Sequence, residues 1–462
     1  MRSAAIADAF VFFSLPSSPQ LCTSSLPTLF AQVDCSDHYD GGDASNDTSN
    51  IIRAITTRRQ ILSAVSTTTA AAVVQLSCSP PSAHAAVVID TAILDSAQIY
   101  GIRTDSSPRA SPSAKRLDAQ SLVSTLRKKR AIFLGEHHPD SRDHWVQADL
   151  IRRLHAAATT IATSSSDADQ LQCASFAIGI EAVEQQFQPI LDDYIMGRID
   201  ENELVLRTEW DARWGWPFQL YAPVFLACRE LGIQILALNI SSEDQALVER
   251  GGLLALGADA LQNYIPDREG YDKFGGTRAF QEYVEFTLRR PFRLQKKFGL
   301  KTPDTYQYFL DRQALRDEAM ASISAAWLEK NPHGLLVGLI GGNHIKFGCG
   351  VPARVARMLS SDRGLEGVAS VLINPTPFDT EANLRRCDGA AAAVADETCL
   401  RNKIEVQNYV LQLGYAGSES RALPNLTKGS KRLENIKEAK LVMQAKKGSS
   451  VLALSDYVIL LP

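Results

Sequence analysis

The sequence predicts an α/β fold: a mostly parallel or mixed central sheet flanked by helices, with an active cleft at the C-terminal ends of the strands. Short apolar runs alternate with longer helical patterns, the signature of strands joined by crossover helices. No internal repeat interrupts that order. Four of the runs end in a carboxylate, an imidazole or an amide, and an open parallel sheet collects its functional groups at that end of its strands.

Residues 1–85 stand apart from the rest. They are rich in Ser, Thr and Ala, with an acidic patch from Asp34 to Asp47 and no acidic residue between Thr48 and Ala85. Thr57-Arg58-Arg59-Gln60-Ile61-Leu62 reads as a twin-arginine signal. A mildly apolar stretch follows, too short and too polar to span a membrane. Ala83-His84-Ala85 then supplies a small-x-small cleavage pattern. A twin-arginine signal that starts this far into the chain predicts two-stage targeting: a plastid transit peptide first, then passage into the thylakoid lumen of the chloroplast. Residues 86–462 are expected to form a single α/β domain with an insertion at about 379–450.

Within that domain the expected strands are Ala131–Leu134, Phe176–Ile180, Ile233–Leu238, Leu335–Ile340, Val368–Asn374 and Tyr457–Leu461. Each is short, partly β-branched or aromatic, and bounded by Gly, Asn or Pro. Helical patterns cover Gln147–Ala156, Pro217–Leu231, Asp311–Lys330 and Val351–Leu359, with Pro352 suited to a first turn. Thr159–Gln172, rich in Ser, Thr and Asp, reads as an exposed loop. The positive cluster Arg289–Lys301 reads as a solvated helix face, with a site for an anionic partner the alternative.

The chain has 462 residues, 45% of them hydrophobic and 22% charged, with a net charge of −4. That excludes a disordered or collagen-like chain and argues against a nucleic-acid partner, which would leave a basic footprint. Beyond residue 85 the cysteines are Cys173, Cys228, Cys349, Cys387 and Cys399, without a CxxC. A disulfide framework is not expected, although Cys387 and Cys399 are close enough in sequence for one bridge in an oxidising lumen.

The strand ends carry the chemistry. Ala131–Leu134 runs into Gly135-Glu136-His137-His138, Phe176–Ile180 into Glu181, Ile233–Leu238 into Asn239, and Leu335–Ile340 into Gly341-Gly342-Asn343-His344. Glu136, His138, Glu181 and His344 are therefore expected to converge on one cleft. Two imidazoles and two carboxylates suit Zn, Mn or Fe as ligands, and the carboxylates also suit general acid–base work. Neither HExxH, GxSxG, a P-loop nor GxGxxG is present, which argues against serine hydrolases, ATPases and Rossmann dehydrogenases.

At these residues the chain resembles the ChaN family of haem-binding uptake proteins, within the Tiki superfamily. Gly135-Glu136-His137-His138 followed by His144 and Gln147 resembles the family's opening block. Gly179-Ile180-Glu181 with Tyr194 and Gly197 resembles the second, and Trp210-Asp211 with Trp214-Gly215-Trp216-Pro217 and Tyr221 the third. Gln313, Arg316-Asp317-Glu318 and Met320 resemble the fourth. Gly341-Gly342-Asn343-His344-Ile345 with Gly350-Val351-Pro352 and Arg354 is the most specific.

The resemblance implies a haem, iron or tetrapyrrole binding protein. The cofactor is expected to be haem or a divalent metal, with His138, His344, Glu181, His144, Trp214 and Asn343 around it. The metal ligands would be Glu136, His138, Glu181 and His344. The alternative is a metal-dependent hydrolase in which Glu136 and Glu181 act as catalytic carboxylates. Trp210, Trp214, Trp216, Phe218 and Tyr221 would form either a flat apolar wall for a ligand or ordinary core. The expected partners are a small tetrapyrrole ligand and, in a homodimer, a second copy of the chain. No nucleic acid and no transmembrane segment of the mature protein are expected.

Overall fold

Three strands are buried along their whole length: β3 (Ala131–Glu136), β6 (Leu335–Gly341) and β7 (Val368–Ile373). β4 (Phe176–Glu184) is buried beyond its first residue, and β5 (Gln234–Asn239) likewise. Parallel strands covered on both faces must be apolar on both, which is why these segments read as continuous apolar runs. The computed structural model describes residues 93–103, 113–164, 175–297, 302–359, 367–375, 379, 442–443 and 452–462. All of them belong to one unit, Ala85–Pro462.

The sheet is mixed and eight-stranded, in the order β2-β1-β10-β7-β3-β6-β4-β5. From β10 (Tyr457–Leu460) to β5 every neighbour is parallel. β1 (Gln98–Arg103) and β2 (Ser113–Leu117) add an antiparallel hairpin on the β10 edge. A separate pair joins β8 (Val442–Met443) to β9 (Leu452–Ala453).

Alternate side chains of each strand feed two cores. Ile132 and Leu134 pack with Val146 and Leu150 of α2 (Ser141–Ser164) and with Val224 and Phe225 of α3 (Phe218–Leu231). α1 (Ala119–Leu126), capped by Asp118 on the Ser121 amide, lies in the same layer. Ala131 and Phe133 face the other way, onto Phe309 and Met320 of α4 (Tyr306–Lys330) and Val351 and Val355 of α5 (Val351–Met358). Helices thus cover both faces of the sheet. Among the described residues no helix is long and apolar enough to cross a membrane.

All six expected strands are present, and so are the four helices. Five strands end within two residues of their expected bounds, while β4 runs on to Glu184, four residues past its expected end. Two further differences have physical causes. α2 continues to Ser164, six residues into the stretch read as a loop, because its Ser and Thr residues are weak rather than prohibitive helix formers. The β1–β2 hairpin went unread because β2 is almost wholly exposed and shows no apolar period. The expected targeting region, the Cys387–Cys399 pair, Lys301 and the expected insertion, apart from Asp379, Val442 and Met443, lie outside the described residues. Cys228 and Cys349 are buried free thiols.

Candidate functional site

Because β3 and β6 are register partners, Glu136 stands opposite Gly341. The chain leaves β3 into His137-His138 and leaves β6 through one tight turn, Gly342–His344. β4 pairs with the other side of β6 and brings Glu181 to the same end of the sheet. The four residues expected to converge do so. They are 1–4% exposed, so they form a closed site.

They are organised as two carboxylate–imidazole pairs. In the first, His138 Nδ1 lies 3.0 Å from Glu136 Oε1, and the Gln147 amide donates to Glu136 Oε2 at 2.6 Å. His144 Nε2 approaches the same carboxylate at 3.4 Å, without hydrogen-bond geometry. Burial alone would push the Glu136 carboxyl up. The His144 and His138 imidazoles more than offset it and hold the group well below the usual carboxylate range. Tyr221 of α3 donates its hydroxyl to the His138 carbonyl at 3.1 Å and packs on His144 with ring centroids 4.1 Å apart.

In the second pair, Glu181 Oε2 accepts the Gly341 amide at 2.6 Å. Its Oε1 is in close ion-pair contact with Arg316 and 3.3 Å from His344 Nε2. His344 Nδ1 makes a close contact with Asp317, and the Gln313 side-chain amide lies 3.0 Å from the same nitrogen. Burial works against charging His344, but Glu181 and Asp317 on its two sides prevail and raise its pKa to about 9. The ring is an imidazolium at neutral pH.

Gly341 joins the two pairs. A Cβ there would stand 2.8 Å from His138 Nε2 and 3.4 Å from Glu181 Oε2. With Nδ1 engaged by Glu136, Nε2 is the ring nitrogen turned toward this side-chain-free backbone. The Trp214 indole packs edge-on against His138, with centroids 4.9 Å apart.

The other expected residues divide. Asn343 spends its side-chain oxygen on Lys346 Nζ at 2.5 Å, and its carbonyl accepts the Tyr283 hydroxyl at 3.1 Å. Trp210 packs edge to face against Phe218 and Tyr221 inside the core, and it donates its indole N–H to the Trp216 carbonyl at 2.8 Å. That is core packing for Trp210 and Phe218, and it leaves Trp214 as the indole against His138. Sequence reasoning did not assign Gln313, Arg316 or Asp317 a role in the site. Their i, i+3, i+4 spacing on α4, in a stretch that is otherwise buried, was the available signal.

Among the described residues no group of three or more His, Cys, Asp or Glu side chains is arranged to hold a metal ion. The donor chemistry accounts for this. Both Glu181 oxygens are taken, one by a guanidinium, and both Glu136 oxygens by His138 and Gln147. As placed here, these donors are committed to one another rather than to a cation. A haem iron accepts an imidazole nitrogen as axial ligand, and His138 offers one. His138 is held through Nδ1 in the way that carboxylates orient ligating histidines. Polar atoms next to it, Trp214 Nε1 and Gln147 Oε1, are buried without a hydrogen-bond partner.

The family profile described as "Haem-binding uptake, Tiki superfamily, ChaN" matches residues 122–355, half of the chain. The chain belongs to this family. The chloroplastic protein RETICULATA-RELATED 5 of Arabidopsis thaliana is 25% identical over 336 residues, 69% of this chain and 41% of that protein. The chain thus spans about two fifths of that relative's length. A solved structure described as cofacial heme binding to ChaN of Campylobacter jejuni is similar at 18% identity. It covers 60% of this chain and 91% of its own, with a TM-score of 0.41. A mutant of the erythromycin esterase EreC, in its open conformation, is similar at 17% identity over 60% of this chain and 76% of its own, with a TM-score of 0.31.

Proposed function

We propose that this ChaN-family chain binds haem or a related iron tetrapyrrole at the strand ends, with His138 Nε2 as the axial ligand. The observation that carries the reading is the orientation of His138: Glu136 holds Nδ1, and Nε2 faces the bare backbone of Gly341. His344 is the weaker candidate, since Glu181 and Asp317 keep it charged. When bound, haem would supply an iron centre for transfer or storage. The chain's own groups would orient the ring nitrogen and exclude water from it. The name of the Arabidopsis relative supports a chloroplast location, and the twin-arginine pattern at Arg58-Arg59 supports the thylakoid lumen within it.

Hemin titration of the purified chain tests the reading. A saturable Soret band with a defined stoichiometry is expected, and it should collapse in His138→Ala but survive in His344→Gln. Free-hemin spectra throughout would overturn it.

One observation favours a second reading. A histidine with a carboxylate on Nδ1 is also the general-base half of a catalytic triad. His138 Nε2 would then take a proton from an attacking water, and the reaction would be hydrolysis by the chain's own groups, without the metal expected from sequence. Turnover of an activated ester that is abolished in His138→Ala, with no hemin uptake by the wild type, would select this reading.

A further inference from the structure

Next to the two carboxylate–imidazole pairs lies a second buried polar cluster. It is centred on Asp379, beyond the end of the family match at residue 355. Asp379 Oδ2 lies 3.3 Å from His137 Nε2, and its Oδ1 is in close ion-pair contact with Lys346 Nζ. His137 precedes His138 on the turn after β3. Lys346 follows His344 by two residues on the turn after β6, and it also donates to Asn343. One carboxylate therefore ties together the two turns that present the site's imidazoles. Behind it, Asp143 accepts the His137 backbone amide at 2.9 Å, lies 3.1 Å from His137 Nδ1, and accepts the Asn374 amide at 2.6 Å. Asp379, Lys346 and His137 are all at most 4% exposed.

We propose that Asp379 is a positioning residue for the site, clamping the His138 turn to the His344 turn from a segment outside the family's matched core. The inference rests on reading Glu136, His138, Glu181 and His344 as the functional site. It adds that a residue beyond the family match contributes to holding that site together. Both partners of Asp379 are positively charged or able to be so, and a buried carboxylate is tolerated only with such pairing. Removing its charge would break the link between Lys346 and His137, leaving each held only on its own side, and the two turns would shift relative to each other.

The test uses the full chain with 15N-labelled histidines, alongside hemin titration. Imidazole signals are assigned by comparison with His138→Ala and His344→Gln. Asp379→Asn is expected to shift the His138 and His344 signals together and to weaken hemin binding about tenfold or more, the usual penalty for losing a residue that orients ligands. Asp118→Ala, which removes the cap of α1, is expected to lower the melting temperature without moving either signal. If Asp379→Asn does not fold, the milder Asp379→Glu is read by the same two signals. Unmoved His138 and His344 signals in a folded Asp379 variant overturn the proposal. A wild type that takes up no hemin sinks the haem reading alone, and the imidazole shifts still decide the role of Asp379.

Discussion

Gly341→Ala is the sharpest perturbation the site offers, because it adds one methyl group beside the proposed ligand atom. The new Cβ would lie 2.8 Å from His138 Nε2 and 3.0 Å from its Cε1. Normal contact needs about 3.5 Å, so the ring must withdraw by roughly 0.7 Å. It cannot do so freely: Glu136 holds Nδ1 at 3.0 Å and the Trp214 indole packs against the ring. Overpacking of this kind costs about 1–3 kcal/mol, a drop of roughly 1–5 °C in melting temperature for a domain of this size. The Gly341 amide that donates to Glu181 is retained, so the second pair should persist. Hemin affinity should fall about tenfold or more, as it does when ligand orientation is lost. Gly338→Ala is the control. Its Cβ would meet the Phe133 ring at 2.4 Å, overpacking the same strand away from His138. It should destabilise at least as much, with an unchanged Soret band in whatever protein remains folded. Hemin affinity and Soret maximum in Gly341→Ala matching wild type would refute the reasoning.

His344 gives a pH signature. Its folded pKa of about 9 lies above the ordinary 6.5, so its stabilising contribution is complete below about pH 6.5 and is lost as pH rises through 9. Melting temperature should fall more steeply between about pH 7 and 10 in wild type than in His344→Gln, and parallel curves would remove the charge from the account. Glu318 is buried between Arg354 and Arg357, so Glu318→Ala should cost about 3–5 kcal/mol by leaving Arg354 buried without its carboxylate. Urea denaturation reads this, and a loss under about 1 kcal/mol would contradict it. Trp214→Ala uncovers the His138 ring and should speed hemin association in stopped flow; an unchanged or slower rate would show that the indole does not guard the ring.

Much of the fold is legible because the central strands are covered on both sides. Segments such as Ala131–Glu136 have no polar face to confuse their reading. Glu136, Glu181 and His344 stand out for the same reason, as polar residues ending apolar runs. The edge hairpin is not legible: Ser-Ala-Lys-Arg-Leu of β2 faces water, and its pairing depends on β1 and β10 rather than on any pattern of its own. Arg316 and Asp317 lie mid-helix, where charged residues ordinarily face solvent. Only the packing of α4 over the strand ends turns them inward. Asp379 carries no local signal at all, since its partners His137 and Lys346 are 242 and 33 residues away in sequence.

The central claim is that His138 Nε2 holds the ligand. Electron paramagnetic resonance of the hemin-loaded full chain tests it most directly. A ferric haem with histidine ligation is predicted in the wild type, abolished in His138→Ala and retained in His344→Gln. An unchanged spectrum in His138→Ala, or one lost only in His344→Gln, would contradict the account.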